Sequence, residues 1–137
     1  MLGEWVVDAS LLGAAFFRET ETGRARARLL AGGRFIAPDL LHVEIASLAA
    51  KKVRRGDETL TIADAALAQV PGLLDETVPA APYSNRAFQL AAEFGLSAYD
   101  GLYLAIAEDR GLKVLTLDER LIRRSVEAGL AHLVEAP

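Results

Sequence analysis

The feature that most constrains this chain is its alternation of short apolar runs with helical stretches. Trp5-Val6-Val7, Arg34 to Ala37, Leu73 to Val78, Lys113 to Thr116 and His132-Leu133-Val134 read as extended segments. Between them the sequence predicts helices over Ser10–Phe17, Thr20–Ala31, Pro38-Asp39 to Arg55, Asp57–Gln69, Ser84–Phe94, Ser97–Asp109 and Asp118–Glu127. Gly32-Gly33, Gly56, Pro71-Gly72, Gly95 and Gly111 punctuate them. Strands that alternate with helices call for a three-layer α/β/α fold around a mainly parallel sheet. With 137 residues, one domain spanning 1–137 is the expectation. In such folds ligands bind at the carboxyl ends of the strands, so acids predicted at that edge matter most.

Asp8 directly follows Trp5-Val6-Val7, and Asp118 follows Lys113-Val114-Leu115-Thr116. Both fall at the carboxyl edge. Helix capping competes with function for each of them, and Thr116-Leu117-Asp118-Glu119 fits a capping box with Thr116 as the cap. Asp100 lies in the first turn of a helix with no further charge until Glu108. A helix that is apolar on nearly all sides is a buried one, and a buried carboxylate needs a cation or a raised pKa. At about 100° per residue, Leu41, Ile45 and Leu48 form the buried stripe of the Asp39–Arg55 helix, and Glu44 falls about 60° from its centre. Four acids from four separate segments therefore point inward.

Composition decides which cation suits them. With no cysteine and two histidines, side-chain metal ligands must be mainly oxygen, which selects Mg²⁺ or Mn²⁺. A hydrated ion of this kind relieves carboxylate repulsion and suits phosphoryl displacement, the chemistry of metal-dependent nucleases. The net charge of −4 gives no general nucleic-acid footprint, so a polyanionic substrate would need a local basic surface. No apolar run reaches the roughly 18 residues of a membrane helix, and the start Met1-Leu2-Gly3-Glu4-Trp5 has no basic signal region. A cytoplasmic location is the expectation.

These segments resemble the PIN-domain ribonucleases, specifically VapC-type toxins of toxin–antitoxin systems. The matching stretches are Val6-Val7-Asp8-Ala9-Ser10, Ala37-Pro38-Asp39 through Glu44, Leu96-Ser97-Ala98-Tyr99-Asp100 through Ala107, and Leu115-Thr116-Leu117-Asp118. The resemblance implies a PIN fold and Mg²⁺- or Mn²⁺-dependent endonucleolytic cleavage of RNA, with tRNA or another structured RNA as target. It also implies a homodimer and inhibition by a small antitoxin, in a heterotetramer or larger assembly that reaches DNA only through the antitoxin. By the same likeness Asp8, Asp100 and Asp118 would ligate the metal, directly or through water. Glu44 would hold or activate water, and Thr116 would support the ligands with its hydroxyl, as Ser10 would beside Asp8.

The remaining residues read more plainly. Asp39 is expected to cap its helix, Trp5 to pack in the core or a dimer seam, and His42 and His132 to take no part in catalysis. Tyr99 and Tyr103, four apart, are expected to share a face in a core, a dimer seam or a base-stacking surface. Lys51, Lys52, Arg54 and Arg55 suit a solvated helix end, and Arg24, Arg26 and Arg28 a basic surface. Some of Arg120, Arg123 and Arg124 would track phosphates beside the acids. Leu11, Leu12, Phe16 and Phe17 would help line an antitoxin cleft. A haloacid-dehalogenase-type phosphatase is the nearest rival, but it wants a second Asp where Ser10 stands. A receiver-like or partner-binding module would be the non-enzymatic alternative, and neither the paired acids nor the phosphate-facing lysine of a receiver is evident. No glycine fingerprint follows the first strand, which speaks against a dinucleotide-binding domain.

Overall fold

The computed structural model describes residues 2–137. Five parallel strands form one sheet in the order β3-β2-β1-β4-β5: β1 Glu4–Val7, β2 Arg34–Pro38, β3 Glu76–Val78, β4 Lys113–Leu115 and β5 Val134–Glu135. Seven helices accompany them: α1 Ala9–Phe16, α2 Thr22–Leu30, α3 Leu40–Arg54, α4 Leu60–Leu73, α5 Ser84–Phe94, α6 Ala98–Arg110 and α7 Glu119–Glu127. Short 3₁₀ turns at Ala81–Tyr83 and Ala131–Leu133 complete the chain. The parallel α/β fold expected from the alternation is the one observed.

Val6, Val7, Ile36, Ala37, Val114 and Leu115 are fully buried, because strands covered on both faces have no water-facing side to carry polar residues. Right-handed crossovers put α1–α4 on one face, where α1 packs on α2 and α3, and α3 on α4. The other face carries α5 and α6, and α6 lies directly against β1, β2 and β4. Their close approach depends on Gly101: a Cβ there would stand 2.5 Å from the Ala87 carbonyl oxygen. Gly95 ends α5 in the left-handed conformation (φ 67°), which a side chain would strain.

The chain runs β1 to β2 to β3 in one direction, then returns to β4 and β5 on the far side of β1. The topological switch point therefore lies between the carboxyl ends of β1 and β4, where Asp8 and Thr116 emerge.

Several local expectations are corrected. Pro71 and Gly72 do not end the fourth helix, which runs on to Leu73 with Pro71 inside it. Pro71 is exposed in the last turn, while Val70 is buried and Leu67 and Leu73 are half-buried, so packing outweighs one lost backbone bond. Thr59, not Asp57, caps α4 by accepting the Ile62 amide at 3.2 Å. Asp39 caps nothing with its side chain; its carboxylate accepts the Ala80 amide at 3.1 Å and ties α3 to the segment after β3. The last strand begins at Val134 rather than His132, which lies in a 3₁₀ turn.

Candidate active site

Asp8 stands at the end of the innermost strand and is 7% exposed. Its extended backbone makes it the N-cap of α1, with Oδ1 accepting the Leu11 amide at 3.1 Å. Ser10 Oγ donates to the same oxygen at 2.7 Å, and Thr116 Oγ1 donates to Oδ2. Those hydroxyls also accept amides from the β4–α7 turn: Leu117 N donates to Ser10 Oγ at 3.1 Å and Asp118 N to Thr116 Oγ1 at 2.9 Å. Two hydroxyls thus knit the ends of β1 and β4 together across the switch point.

Thr116 is not the cap of α7. Asp118 caps it, its Oδ1 accepting the Arg120 and Leu121 amides at 3.0 and 3.1 Å. The capping box read from Thr116 and Glu119 fails because the Thr116 hydroxyl is committed to Asp8. Ser97 does cap α6, accepting the Asp100 amide at 3.1 Å, and holds Asp100 at the start of that helix.

Glu44 sits on the half-buried side of α3, next to an opening of about 360 Å³ lined by Leu40, Val43, Glu44, Ser47 and Tyr99. Tyr103, only 3% exposed, donates its hydroxyl to Glu44 Oε1 at 2.8 Å. This residue was missed as part of the site. Its signal was present: a phenol in a helix buried on all sides needs a hydrogen-bond partner, and Glu44 was the other unpartnered polar group facing inward. Tyr99 does not share its fate, being 60% exposed at the helix start while Tyr103 enters the core.

The electrostatics show that the acids influence one another. Burial pushes the Asp8 carboxyl up to about 6, against its hydrogen bonds from Thr116, Ser10 and Leu11, and Asp118 pushes it further. Burial also raises Asp100, with Asp118 adding to it and Ser97, Arg120 and Arg124 offsetting part. Burial raises Glu44, the Tyr103 hydroxyl opposes this, and Asp100 adds to it. Carboxylates raised by burial and by like-charged neighbours cost the fold stability, which is why such residues are candidates for a functional site.

Chemically the donors are all oxygen, which suits a hard divalent cation. Among the described residues no three carboxylate or histidine side chains stand as a ready-made metal cage.

The predicted basic and apolar surfaces are partly spent elsewhere. Arg26 donates to the Ala15 carbonyl at 2.7 Å, Arg24 to the Pro137 carbonyl at 3.0 Å, and Arg28 stacks 4.1 Å from the centre of the Trp5 ring. Lys52 pairs with Glu19 at 3.0 Å, and Arg124 donates to the Gly95 carbonyl. Leu11, Leu12 and Phe17 are fully buried and cannot line a cleft, which leaves Phe16 of that group.

A sequence profile described as PIN domain matches residues 5–127. Ribonuclease VapC3 of Pyrobaculum aerophilum is 31% identical over 123 residues, covering 87% of this chain and 92% of the relative. Among solved structures, PAE2754 from Pyrobaculum aerophilum superposes with a TM-score of 0.72 at 25% identity, over 95% of this chain and 88% of that one. Mycobacterium tuberculosis VapC20, described as a sarcin-ricin loop cleaving toxin, has the same fold, with a TM-score of 0.65 at 18% identity over 86% of this chain and 92% of its own. The profile match across most of the chain, and the VapC relative aligned over nearly its whole length, establish that this chain belongs to the PIN-domain family, among its VapC-type members.

Proposed function

We propose that this protein is an endoribonuclease, the toxin of a toxin–antitoxin pair, which hydrolyses RNA phosphodiester bonds at the Asp8, Glu44, Asp100 and Asp118 site with a divalent metal ion. What supports the reading is a chain of pairwise influence among the acids: burial raises Asp8, Asp100 and Glu44, Asp118 adds to the rise of Asp8 and of Asp100, and Asp100 adds to that of Glu44. The ribonuclease named among the relatives supports RNA as substrate. A structured RNA, such as a tRNA, is the target class we assign.

Asp8, Asp100 and Asp118 would hold Mg²⁺ or Mn²⁺, directly or through water. When bound, such an ion supplies a Lewis acid that eases ionisation of water and neutralises charge on the scissile phosphate. The chain's own residues do the positioning. Ser10, Thr116 and the Leu11 amide fix both oxygens of Asp8 and keep its carboxylate from turning. Glu44 has one oxygen engaged by Tyr103 and keeps Oε2 to orient a water and accept its proton. Arg120, exposed on the first turn of α7 and near enough to act on Asp100, offers a contact for a flanking phosphate. A small cognate antitoxin would silence the enzyme by covering this acidic edge, and a second copy of the chain would complete a homodimer.

The test is cleavage of a structured RNA by purified wild-type and Asp100→Asn protein. Asp100→Asn should lower the rate by more than about 100-fold. Millimolar Mg²⁺ should raise the melting temperature of the wild type by linkage and leave the variant nearly unmoved. Full activity in the variant, or a wild-type melting curve indifferent to Mg²⁺ and Mn²⁺, would refute the assignment.

A further inference from the structure

We infer that Tyr103 is a positioning residue for Glu44: its buried phenol fixes one carboxylate oxygen so that the other is presented to the reacting water. The inference rests on the nuclease reading above and adds to it a residue outside the acidic set.

Tyr103 is on α6, three residues after Asp100, so one face of one helix carries an acid and, a turn deeper, a phenol. The ring is packed in the core, yet the hydroxyl reaches Glu44 Oε1 of α3 at 2.8 Å. That bond joins residues 59 apart in sequence and links the helix layers on the two sides of the sheet. Packing alone does not call for it, since a phenylalanine ring would fill the same space. The same contact is the one hydrogen bond that Glu44's carboxylate makes among the described residues, which leaves Oε2 unengaged. A glutamate side chain has three rotatable bonds, so without the tether its carboxylate would sample several rotamers at the edge of the 360 Å³ opening. Burial keeps the phenol protonated, with Glu44, Asp8 and Asp100 adding to the effect, so it serves as a fixed donor.

The depth at which Tyr103 sits is set by α6, and α6 is seated against α5 through Gly101. One helix thus sets two of the site's groups, Asp100 directly and Glu44 through the phenol.

Tyr103→Phe removes the donor and retains the ring. It should melt close to the wild type and lower kcat about 10- to 100-fold, with KM changed less than about twofold. Glu44→Gln should be slow by itself, and the Tyr103→Phe/Glu44→Gln double variant should be no slower than Glu44→Gln. Losses that multiply in the double variant, or a Tyr103→Phe kcat equal to wild type, would overturn the inference while leaving the nuclease intact. Relaxation of the Glu44 γ-methylene by NMR, on metal-free protein, gives a second readout that needs no activity. The methylene should be rigid in the wild type and mobile in Tyr103→Phe; equal order in both would overturn the tether. A wild type that cleaves no RNA with either metal would end the nuclease reading, and the NMR comparison would still decide the tether.

Discussion

The two edges of the sheet carry the same residue types and treat them in opposite ways. At the amino edge, Glu4 and Glu76 flank Arg34, and Arg110 closes on Glu76 with contacts of 3.2 and 2.6 Å. Arg86 grips Glu108 at 2.8 and 3.0 Å beside them. These guanidinium partners hold Glu76 and Glu108 below the usual carboxylate range. At the carboxyl edge, Asp8, Glu44 and Asp100 are raised by burial, and no arginine or lysine forms an ion pair with them among the described residues. An acid given a partner is part of the scaffold. An acid buried among other acids destabilises the fold and persists where a ligand compensates for it. Composition could not separate these roles, since glutamate serves at both ends.

One helix spans the two edges, so it offers the largest perturbation. Gly101→Ala should cost about 3 kcal/mol. Alanine's helix propensity favours it by about 1 kcal/mol, but a Cβ at 2.5 Å from a backbone oxygen forces α6 away from α5 and outweighs that gain. Both edges should loosen together, with loss of cleavage and a lower chemical-denaturation midpoint. Unchanged stability would mean that α6 does not fix the two ends jointly.

Asp8→Asn should sharpen the contrast by removing a liability. Burial pushes the folded carboxyl up to about 6 from its ordinary 3.8, so the unfolded chain ionises first as pH rises. Folding stability therefore falls between about pH 4 and pH 6, and the full penalty is present above that. In metal-free buffer at pH 7 the variant should be more stable than the wild type by up to about 3 kcal/mol. The difference should vanish below about pH 4. Equal denaturation curves at pH 7 would mean that the carboxyl edge is as well compensated as the other.

The smallest effect belongs to the amino edge. Glu76→Gln removes an anion whose pKa is lowered, so its contribution is present near neutral pH and fades as pH falls through the carboxylate range. Its side chain is 32% exposed, and water and salt screen the pairs, so the loss should stay below about 1 kcal/mol and shrink in high salt. A larger, salt-independent loss would make this edge more than a surface ladder.

Much of this was legible in the residues. The apolar runs located β1, β2 and β4 to within a few residues, because central strands are covered on both faces, and they placed the edge strands β3 and β5 more loosely, since Glu76-Thr77-Val78 and Val134-Glu135 are only partly buried. Asp8 and Asp118 could be singled out because each follows a strand at the carboxyl edge, and Glu44 and Asp100 because each interrupts the apolar face of a helix. The failures share a cause. Thr116 looked like a cap, Asp57 and Asp39 looked like caps, and Pro71 looked like a stop. Each reading used neighbours in sequence, whereas the deciding partners lay elsewhere: Asp8 for Thr116, the Ala80 amide for Asp39, and the packed face of α4 for Pro71. Leu11, Leu12 and Phe17 failed as cleft residues because hydrophobicity does not say which neighbour covers it.

The sequence by itself determined the periodicities, and through them the layers, the parallel sheet and the edge at which acids would emerge. Those depend on local geometry and burial, which a residue carries with it. Only the tertiary structure decided which acids are left without a counter-charge, which hydroxyls bind β1 to β4, and that Tyr103 reaches Glu44. Hydrogen bonds and desolvation act over a few ångströms between residues as many as 108 apart in the chain, and that proximity exists only once the sheet and its helices have closed on one another.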